Sequence, residues 1–331
     1  MKIPTLPSIR RFAFISAALT ATSMVWDAAV AIPVGTVSAA AAFTHQTAPT
    51  QYVDAGGIRF AYRRFGKRGG LPMVFFQHFA GTMDNWDPKI VDGFAAQRDV
   101  ILFDNAGVAS SSGDVPTNIE GMAKDAISFL SALGVTRIDL LGFSMGSLIS
   151  QEIAIQRPDL VHRMVLVGSS PRGGVGMASL TPEFQAMLAK KREVPDELLL
   201  ESLFAPSASS QAAGRQFLTR LRARRRGRDP DVNEKVAPAQ AAALAAWGTP
   251  REDAYAYLAA IKQPVLLIDG NRDVVFYTVN AFNLEQHLSN AQLIIYPDSG
   301  HGPQYRYPER FLRDANTFFS EVDQVRSNDA N

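Results

Sequence analysis

The chain has 331 residues, of which 47% are hydrophobic and 20% are charged. This composition excludes a disordered chain and a polytopic membrane protein, and the length suits one large α/β domain or two smaller ones. The balance of 33 basic against 32 acidic residues gives no reason to expect nucleic acid as a partner. Because the chain contains no cysteine, disulfides, thiolate catalysis and cysteine-ligated metals are excluded.

The first 42 residues differ in composition from the rest of the chain. Lys2, Arg10 and Arg11 precede a charge-free stretch over residues 12–26, and small residues follow it. This pattern predicts a signal peptide of the Sec or twin-arginine-like type, cleaved after Ala31 or within residues 39–42. The charge-free stretch is shorter than the roughly 20 residues that span a bilayer, so the mature protein is expected to have no membrane span. The expected location is the periplasm or the medium, and the alternative is an uncleaved N-terminal anchor.

Beyond the leader, short apolar segments alternate with amphipathic ones. A hairpin at residues 52–57 opens the series, and strands are predicted at 58–63, 73–77, 100–104, 138–143, 164–168, 265–269 and 291–296. Strands that alternate with helices predict an α/β fold with a mostly parallel central sheet flanked by helices. The core of this domain is assigned to residues 50–170 and 263–325.

The alternation stops between residues 171 and 262. Leucine- and alanine-rich segments at 183–191, 196–203, 209–226, 231–247 and 253–261 predict helices, and no strand lies among them. Because this insertion follows the sixth strand, we predict a helical cap over the carboxyl edge of the sheet, where α/β sites lie. A separate helical domain is the alternative.

The middle of this insertion is rich in arginine. The run predicts a solvent-exposed face, and the alternative is a binding site for anions. Its seven members are Arg215, Arg220, Arg222, Arg224, Arg225, Arg226 and Arg228.

One motif carries the candidate chemistry. Ser144 lies in Gly142-Phe143-Ser144-Met145-Gly146, between a predicted strand and a predicted helix. A tight strand-to-helix turn holds a serine in strained geometry, and small residues must flank it at both second neighbours. The bland alternative is a turn with a solvent-facing serine. The strand before it and the helix after it favour a nucleophile elbow.

A serine nucleophile needs a base, and the base needs an orienting carboxylate. His301 follows the last predicted strand and is chosen by position and by elimination, since His45 precedes the domain and His162 and His287 have no such placement. For the acid, Asp273 follows the strand that ends near residue 269 and preserves the order Ser…Asp…His. Asp269 and Asp298 are its competitors.

These motifs resemble those of the α/β-hydrolase fold superfamily, in particular its serine esterases, lactonases and perhydrolases. The resemblance covers residues 52 to 319 apart from the helical insertion. Gln77-His78-Phe79-Ala80-Gly81 is similar to the family's H-G-F-P-G motif, and Trp86 stands where the family has a tryptophan. The resemblance implies that the backbone N–H groups of Phe79 and Met145 form an oxyanion hole.

The expected function is that of an exported serine hydrolase that acts on small-molecule carboxylic esters or lactones. The alternatives are a cofactor-free haloperoxidase or perhydrolase, a C–C hydrolase or aminopeptidase, and a non-enzymatic receptor. No cofactor and no metal are expected, because the sequence has no phosphate-binding loop, dinucleotide fingerprint or metal-ligand spacing. Four side chains are candidates for lining the substrate pocket, with core packing as the alternative: His78, Trp86, Phe204 and Trp247.

Overall fold

An eight-stranded sheet forms the centre of the computed structural model, which describes residues 43–192, 194 and 196–321. The predicted leader and its cleavage sites lie outside these residues. The strands, each found where the sequence predicts one, are β1 (Gln51–Ala55), β2 (Ile58–Gly66), β3 (Met73–Phe76), β4 (Asp99–Phe103), β5 (Ile138–Phe143), β6 (Val161–Val167), β7 (Val265–Gly270) and β8 (Ala291–Tyr296). Their order is β1-β2-β4-β3-β5-β6-β7-β8. β2 is antiparallel to both of its neighbours and all other pairs are parallel, which confirms the mostly parallel sheet.

Helices connect the strands. They are α1 (Pro88–Ala95), α2 (Ile119–Ala132), α3 (Met145–Gln156), α4 (Pro182–Ala189), α5 (Asp196–Leu203), α6 (Ala208–Leu221), α7 (Val236–Gly248), α8 (Val279–His287), α9 (Pro303–Arg306) and α10 (Pro308–Ser320), with 3-10 turns at Met83–Asn85 and Ala256–Ala260. Sequence signals mark several starts: the Asn118 side chain accepts the Gly121 N–H at 2.7 Å and so caps α2. No helix within the described ranges has the length and apolar content to cross a membrane.

The sheet separates two apolar layers. Successive side chains of a strand point to opposite faces, so Phe75 packs with α1 and α10 on one face while Phe76 packs with α2 and α3 on the other. The inner strands β3, β4 and β5 are buried along their whole length, as expected for strands covered on both sides.

The segment between β6 and β7 contains α4 to α7, and its described residues form no strand of the sheet. It adds to both apolar layers, because Leu203 and Phe217 join the layer of α1 whereas Ala243 and Trp247 join the layer of α2. Two predicted helix bounds are wrong. The helix expected over 209–226 ends at Leu221, and the one expected over 231–247 begins only at Val236.

The arginines that follow α6 differ in their surroundings. Arg224 is 3% exposed and donates to the backbone oxygens of His45 and Ala48 at 2.7 and 2.9 Å. Arg228 donates to the oxygen of Leu221 at 3.1 Å. Arg224 therefore departs from the expected solvated face, and the exposed members of the group agree with it: Arg215, Arg222, Arg225, Arg226 and Arg228.

The N-terminal boundary also differs from the expected start at residue 50. His45 is fully buried, its backbone N–H donates to Asp92 Oδ1 at 2.6 Å, and its Nε2 lies 3.0 Å from the oxygen of Met83. Residues 43–50 therefore belong to the packed domain, and the interpretation of His45 as preceding it is wrong.

Candidate active site

Ser144 occupies the turn between β5 and α3. Its backbone has φ 54° and ψ −124°, a conformation that a non-glycine residue rarely adopts. The Ser144 N–H donates to the oxygen of Val167 on the neighbouring strand β6 at 2.9 Å, and its own oxygen accepts the Ser147 N–H at 2.8 Å. A strained conformation held by hydrogen bonds on both sides is typical of a functional position.

The two flanking glycines are required by close contacts. A Cβ at Gly142 would lie 2.4 Å from Ser150 Oγ, and a Cβ at Gly146 would lie 2.0 Å from the backbone oxygen of Phe76. Any larger residue at position 146 would have to push α3 away from β3. The sharp turn that presents Ser144 therefore depends on both glycines.

His301 and Asp273 form a buried pair. His301 Nδ1 lies 2.6 Å from Asp273 Oδ2, and the other oxygen of Asp273 accepts the N–H groups of Val275 and Phe276 at 2.8 and 3.0 Å. The three bonds leave the carboxylate one orientation and assign the Nδ1 proton to His301. His301 Nε2 is buried and has no hydrogen-bond partner among the described residues.

Packing fixes the ring of His301 beside Ser144. The ring of Phe143, the residue before Ser144, lies 5.2 Å from the His301 ring between centroids. Gly168, which follows β6 with φ +54°, leaves room for it, since a Cβ there would lie 2.8 Å from His301 Cε1. This role of Gly168 was missed in the sequence, although a glycine directly after a strand is a signal for close approach.

The competing carboxylates have other partners. Asp298 accepts hydrogen bonds from Ser207 and Ser209 at 2.7 and 3.0 Å and pairs with Arg306 at 3.2 Å. Asp269 is fully buried, and its Oδ1 accepts the Gly270 N–H at 2.7 Å. Burial, together with the neighbouring Asp273 carboxylate, raises the pKa of Asp269 well above its ordinary value. Asp269 therefore lies beside the pair without contacting His301, whereas Asp273 forms the hydrogen bond to His301 Nδ1.

Ser144 and His301 line one cavity of about 580 Å³. Its walls come from the helical insertion, chiefly α4, α5 and α7, and from the loops that follow β3 and β7. Leucine, alanine and phenylalanine dominate these walls. The volume lies in the range of roughly 300–1,000 Å³ that suits small-molecule ligands.

Of the four predicted pocket residues, only His78 lines this cavity. The other three are corrected to core residues. Trp86 is 1% exposed and packs edge-on against Phe75 at 5.1 Å. Phe204 is buried against Phe217, and the indole N–H of Trp247 donates to the oxygen of Ser170 at 3.3 Å.

The loop after β3 brings Phe79 to the cavity. Ala80 has φ 53°, and its N–H donates to Gln240 Oε1 of α7 at 2.6 Å. Gln77 bridges the other side of the loop, because its Oε1 accepts the His78 N–H at 2.9 Å while its Nε2 donates to the oxygen of Thr82 at 3.1 Å. Neither of these amide anchors was found from sequence, and for Gln240 the reason is that its partner Ala80 lies 160 residues away in the chain.

The N–H groups of Phe79 and Met145 are available to a ligand. Met145 is the first residue of α3, so its N–H has no acceptor within the helix. Within the described part of the chain, no acceptor is assigned to the N–H of either residue. Both groups belong to residues next to the cavity that Ser144 lines, Phe79 in its wall and Met145 directly after the serine.

His78 supplies no positive charge to the cavity at neutral pH. Desolvation by the surrounding protein lowers the pKa of His78 to about 4, and the nearby His301 ring adds to this effect. Its Nδ1 lies 2.8 Å from the oxygen of Phe79. The described residues include no cluster of three or more histidine, aspartate or glutamate side chains that could hold a metal ion.

Comparison with known proteins agrees with this geometry. The model of the alpha/beta hydrolase fold family matches residues 72–306, which is more than half of the chain. The chain belongs to this family. An α/β-hydrolase fold protein from Chitinophaga pinensis is 37% identical, with a TM-score of 0.79, over 85% of this chain and all of that one.

Two further relatives carry names that describe activities. The 2-hydroxymuconate semialdehyde hydrolase of Pseudomonas sp. strain CF600 is 27% identical over 280 residues, which are 82% of this chain and 94% of that protein. A solved structure titled as an N-acyl homoserine lactone degrading enzyme is 24% identical with a TM-score of 0.63, over 81% of this chain and all of that one. At 24% identity, the similarity to the lactone-degrading enzyme shows a shared fold and carries no information about activity.

Proposed function

We propose that this α/β-hydrolase cleaves carboxylic esters or lactones through an acyl-enzyme formed on Ser144. One observation carries the proposal: the strained Ser144 and the buried His301–Asp273 pair, 2.6 Å apart between Nδ1 and Oδ2, meet at one cavity. A serine, a base with a free Nε2 and an orienting carboxylate are the parts that nucleophilic acyl transfer needs.

The mechanism assigns each group a role. Ser144 Oγ attacks the substrate carbonyl while His301 Nε2 accepts its proton, and Asp273 stabilises the resulting imidazolium. The N–H groups of Phe79 and Met145 hydrogen-bond the oxyanion. His301 then protonates the leaving alkoxide, and the alcohol departs. A water molecule, deprotonated by His301, attacks the acyl-enzyme, so that the carboxylic acid leaves and Ser144 regains its proton.

Two rival reactions use the same groups. In a perhydrolase, hydrogen peroxide replaces water as the acyl acceptor. In a C–C hydrolase such as the Pseudomonas relative, the substrate is a muconate derivative and so carries a carboxylate. No lysine or arginine is among the described residues that line the cavity, and this favours an uncharged ester or lactone over the C–C substrate.

The decisive experiment compares Ser144→Ala with Ser128→Ala, a control on α2 outside the cavity. With p-nitrophenyl butyrate, Ser144→Ala is expected to lose at least about 10⁴-fold in kcat, while Ser128→Ala keeps wild-type turnover. A fluorophosphonate probe should add its mass to wild type and not to Ser144→Ala. Wild-type turnover by Ser144→Ala would refute the mechanism, and an unlabelled wild type would favour a receptor. Peroxide-dependent bromination in acetate buffer would favour the perhydrolase.

The proposal includes export, on the strength of the basic, apolar and small-residue order of residues 1–42. The full chain expressed in a Gram-negative host is expected in the periplasm or the medium. N-terminal sequencing should find a mature start after Ala31 or within residues 39–43. A full-length chain in the membrane fraction would favour the anchored alternative.

A further inference from the structure

The described residues that line the cavity carry no charged side chain of lysine, arginine, aspartate or glutamate, and this bears on the substrate class of the proposed hydrolase. The polar side chains among its described lining residues are His78, Ser144, Ser179, Ser202 and His301, and no lysine, arginine, aspartate or glutamate joins them. Transfer of a carboxylate into such surroundings without a cation is strongly unfavourable. His78 cannot supply that cation, because its pKa of about 4 leaves the ring neutral at pH 7. The cavity therefore suits an uncharged, apolar acyl group.

One wall of the cavity is formed by α7, whose lining residues are Ala237, Pro238, Ala241, Leu244 and Ala245. Ala237, Ala241 and Ala245 follow each other at intervals of four residues along α7, so they share one face of the helix, and all three line the cavity. The other walls carry larger side chains, including Leu198 and Leu199 of α5. The short alanine side chains leave the space that longer ones would fill.

This wall belongs to the same cavity as the reacting groups. Ser144 and His301 line it, and the buried Nε2 of His301 has no partner among the described residues. Phe79 of the loop after β3 and Phe143 also line this cavity, so an acyl group on Ser144 shares one continuous space with the alanine face. The alanine face of α7 is thus positioned to contact the chain of the acyl group.

We propose that the face formed by Ala237, Ala241 and Ala245 sets the acyl-chain length, and that the site takes uncharged esters with acyl chains of about six to ten carbons. This inference rests on the proposed function. It makes the three alanines specificity-determining residues, which bind the chain without taking part in the chemistry. Each methylene of the chain that is buried against them is expected to raise the affinity about fourfold.

The test measures kcat/KM for p-nitrophenyl esters from acetate to laurate. Wild type is expected to be fastest between hexanoate and decanoate. Ala241→Leu and Ala245→Leu should lower kcat/KM for the octanoate at least tenfold and change that for the acetate less than threefold, because added side-chain volume removes room only at the distal end of the chain. Ala242→Leu is the control, since Ala242 is exposed on the same helix and does not line the cavity.

A charged ester of matched length tests the second half of the proposal. Mono-p-nitrophenyl suberate has the chain of the octanoate with a terminal carboxylate, and its kcat/KM is expected to be at least 100-fold lower. Equal turnover of the two esters, or an equal loss for all chain lengths in Ala241→Leu, would overturn the inference.

Binding to Ser144→Ala separates this inference from the proposed function. In that variant the cavity remains, and displacement of the neutral dye N-phenyl-1-naphthylamine reports ligand entry without turnover. p-Nitrophenyl octanoate should displace the dye at least tenfold better than the acetate or the suberate monoester, and Ala241→Leu in the same background should remove this advantage. If wild type hydrolyses no ester while this order of binding holds, the proposed function fails and the cavity assignment stands. Displacement independent of chain length would overturn the cavity assignment.

Discussion

Arg63 of β2 and Asp229 of the helical insertion form an ion pair, with 2.7 Å between Nη2 and Oδ1, in which both side chains are almost fully buried. The same guanidinium binds Asp84 at 2.6 Å, and Asp84 Oδ2 in turn accepts the Asp229 N–H at 2.8 Å. The segment after α6 is thereby tied to the sheet by charge rather than by apolar contact.

Removal of Arg63 should therefore unfold the protein readily. Arg63→Ala removes the cation of the buried Asp229 and one of the cations of Asp84, which keeps Arg224 at 3.6 Å, and the loss of a buried ion-pair partner lowers the free energy of unfolding by about 3–5 kcal/mol. Urea denaturation followed by tryptophan fluorescence measures it. Arg157→Ala is the control, because its pair with Asp159 is exposed and should leave the denaturation midpoint unchanged. Equal midpoints for both variants would contradict this account.

The two neighbouring carboxyls of the site should differ sharply in their effect on turnover. Asp273→Asn is expected to lower kcat for p-nitrophenyl acetate by roughly 10³- to 10⁴-fold, because an amide neither fixes the Nδ1 proton of His301 nor stabilises the imidazolium. Asp269→Asn keeps the shape of the side chain and an oxygen for the Gly270 N–H, and it leaves the His301–Asp273 pair intact, so kcat should stay within tenfold of wild type. A larger loss in Asp269→Asn than in Asp273→Asn would make Asp269 the orienting acid.

Gln240 is expected to act as a positioning residue. Its Oε1 holds the Ala80 N–H, and Ala80 follows Phe79, whose N–H is assigned to the oxyanion. Gln240→Leu removes the acceptor and should lower kcat about 10- to 100-fold with little change in KM, since the displaced donor serves the transition state. Gln240→Glu keeps an acceptor oxygen and should recover part of kcat. An unchanged kcat in Gln240→Leu, with exposed Gln286→Leu as the control, would remove this role.

His45 should make the folded state sensitive to acid. Burial lowers the pKa of His45 to about 4, whereas the unfolded chain takes up the proton near pH 6.5. Between these values the unfolded state binds more protons, so stability rises with pH from 4 to 6.5 and falls on acidification. The contribution is on the order of 3 kcal/mol across this window.

The variant His45→Gln keeps a donor for the oxygen of Met83 and does not titrate. Its free energy of unfolding should rise less with pH between 4 and 6.5 than that of wild type. His78 acts in the same direction as His45, and Asp229, whose pKa burial raises to about 6, acts in the opposite direction in both proteins. Exposed His287→Gln serves as the comparison and should follow the wild-type curve. Parallel curves for His45→Gln and wild type would show that His45 does not control the acid response.

The part of the site that follows chain order was predictable from sequence. Ser144 stands between a strand and a helix, and the positions of Asp273 and His301 after β7 and β8 follow from the alternation of elements. Local patterns of this kind depend on residues close in sequence. The strands were predictable for the same reason, because a short, continuous run of apolar residues marks each inner strand in the sequence.

The lining of the cavity was not predictable in the same way. Trp86, Phe204 and Trp247 are large and apolar, and nothing in residue type distinguishes a side chain that fills the core from one that borders a void. The cavity is lined instead by leucines and alanines of α5 and α7, whose pattern is that of ordinary helices. Arg224 was likewise interpreted as a surface residue, because its partners His45 and Ala48 lie far away in sequence.

The end of α5 joins the cavity wall to the loop of His301. The oxygens of Ser202 and Leu203 accept the N–H groups of His301 and Gly302 at 3.0 Å each, and the side chains of Ser202 and Leu203 line the cavity. The end of α5 and the loop that carries His301 are therefore expected to move together. A bulky substrate that spreads the wall at α5 would also shift the imidazole away from Ser144, so an enlarged pocket obtained by selection at α5 should be accompanied by slower catalysis, whereas one obtained at α7 should not.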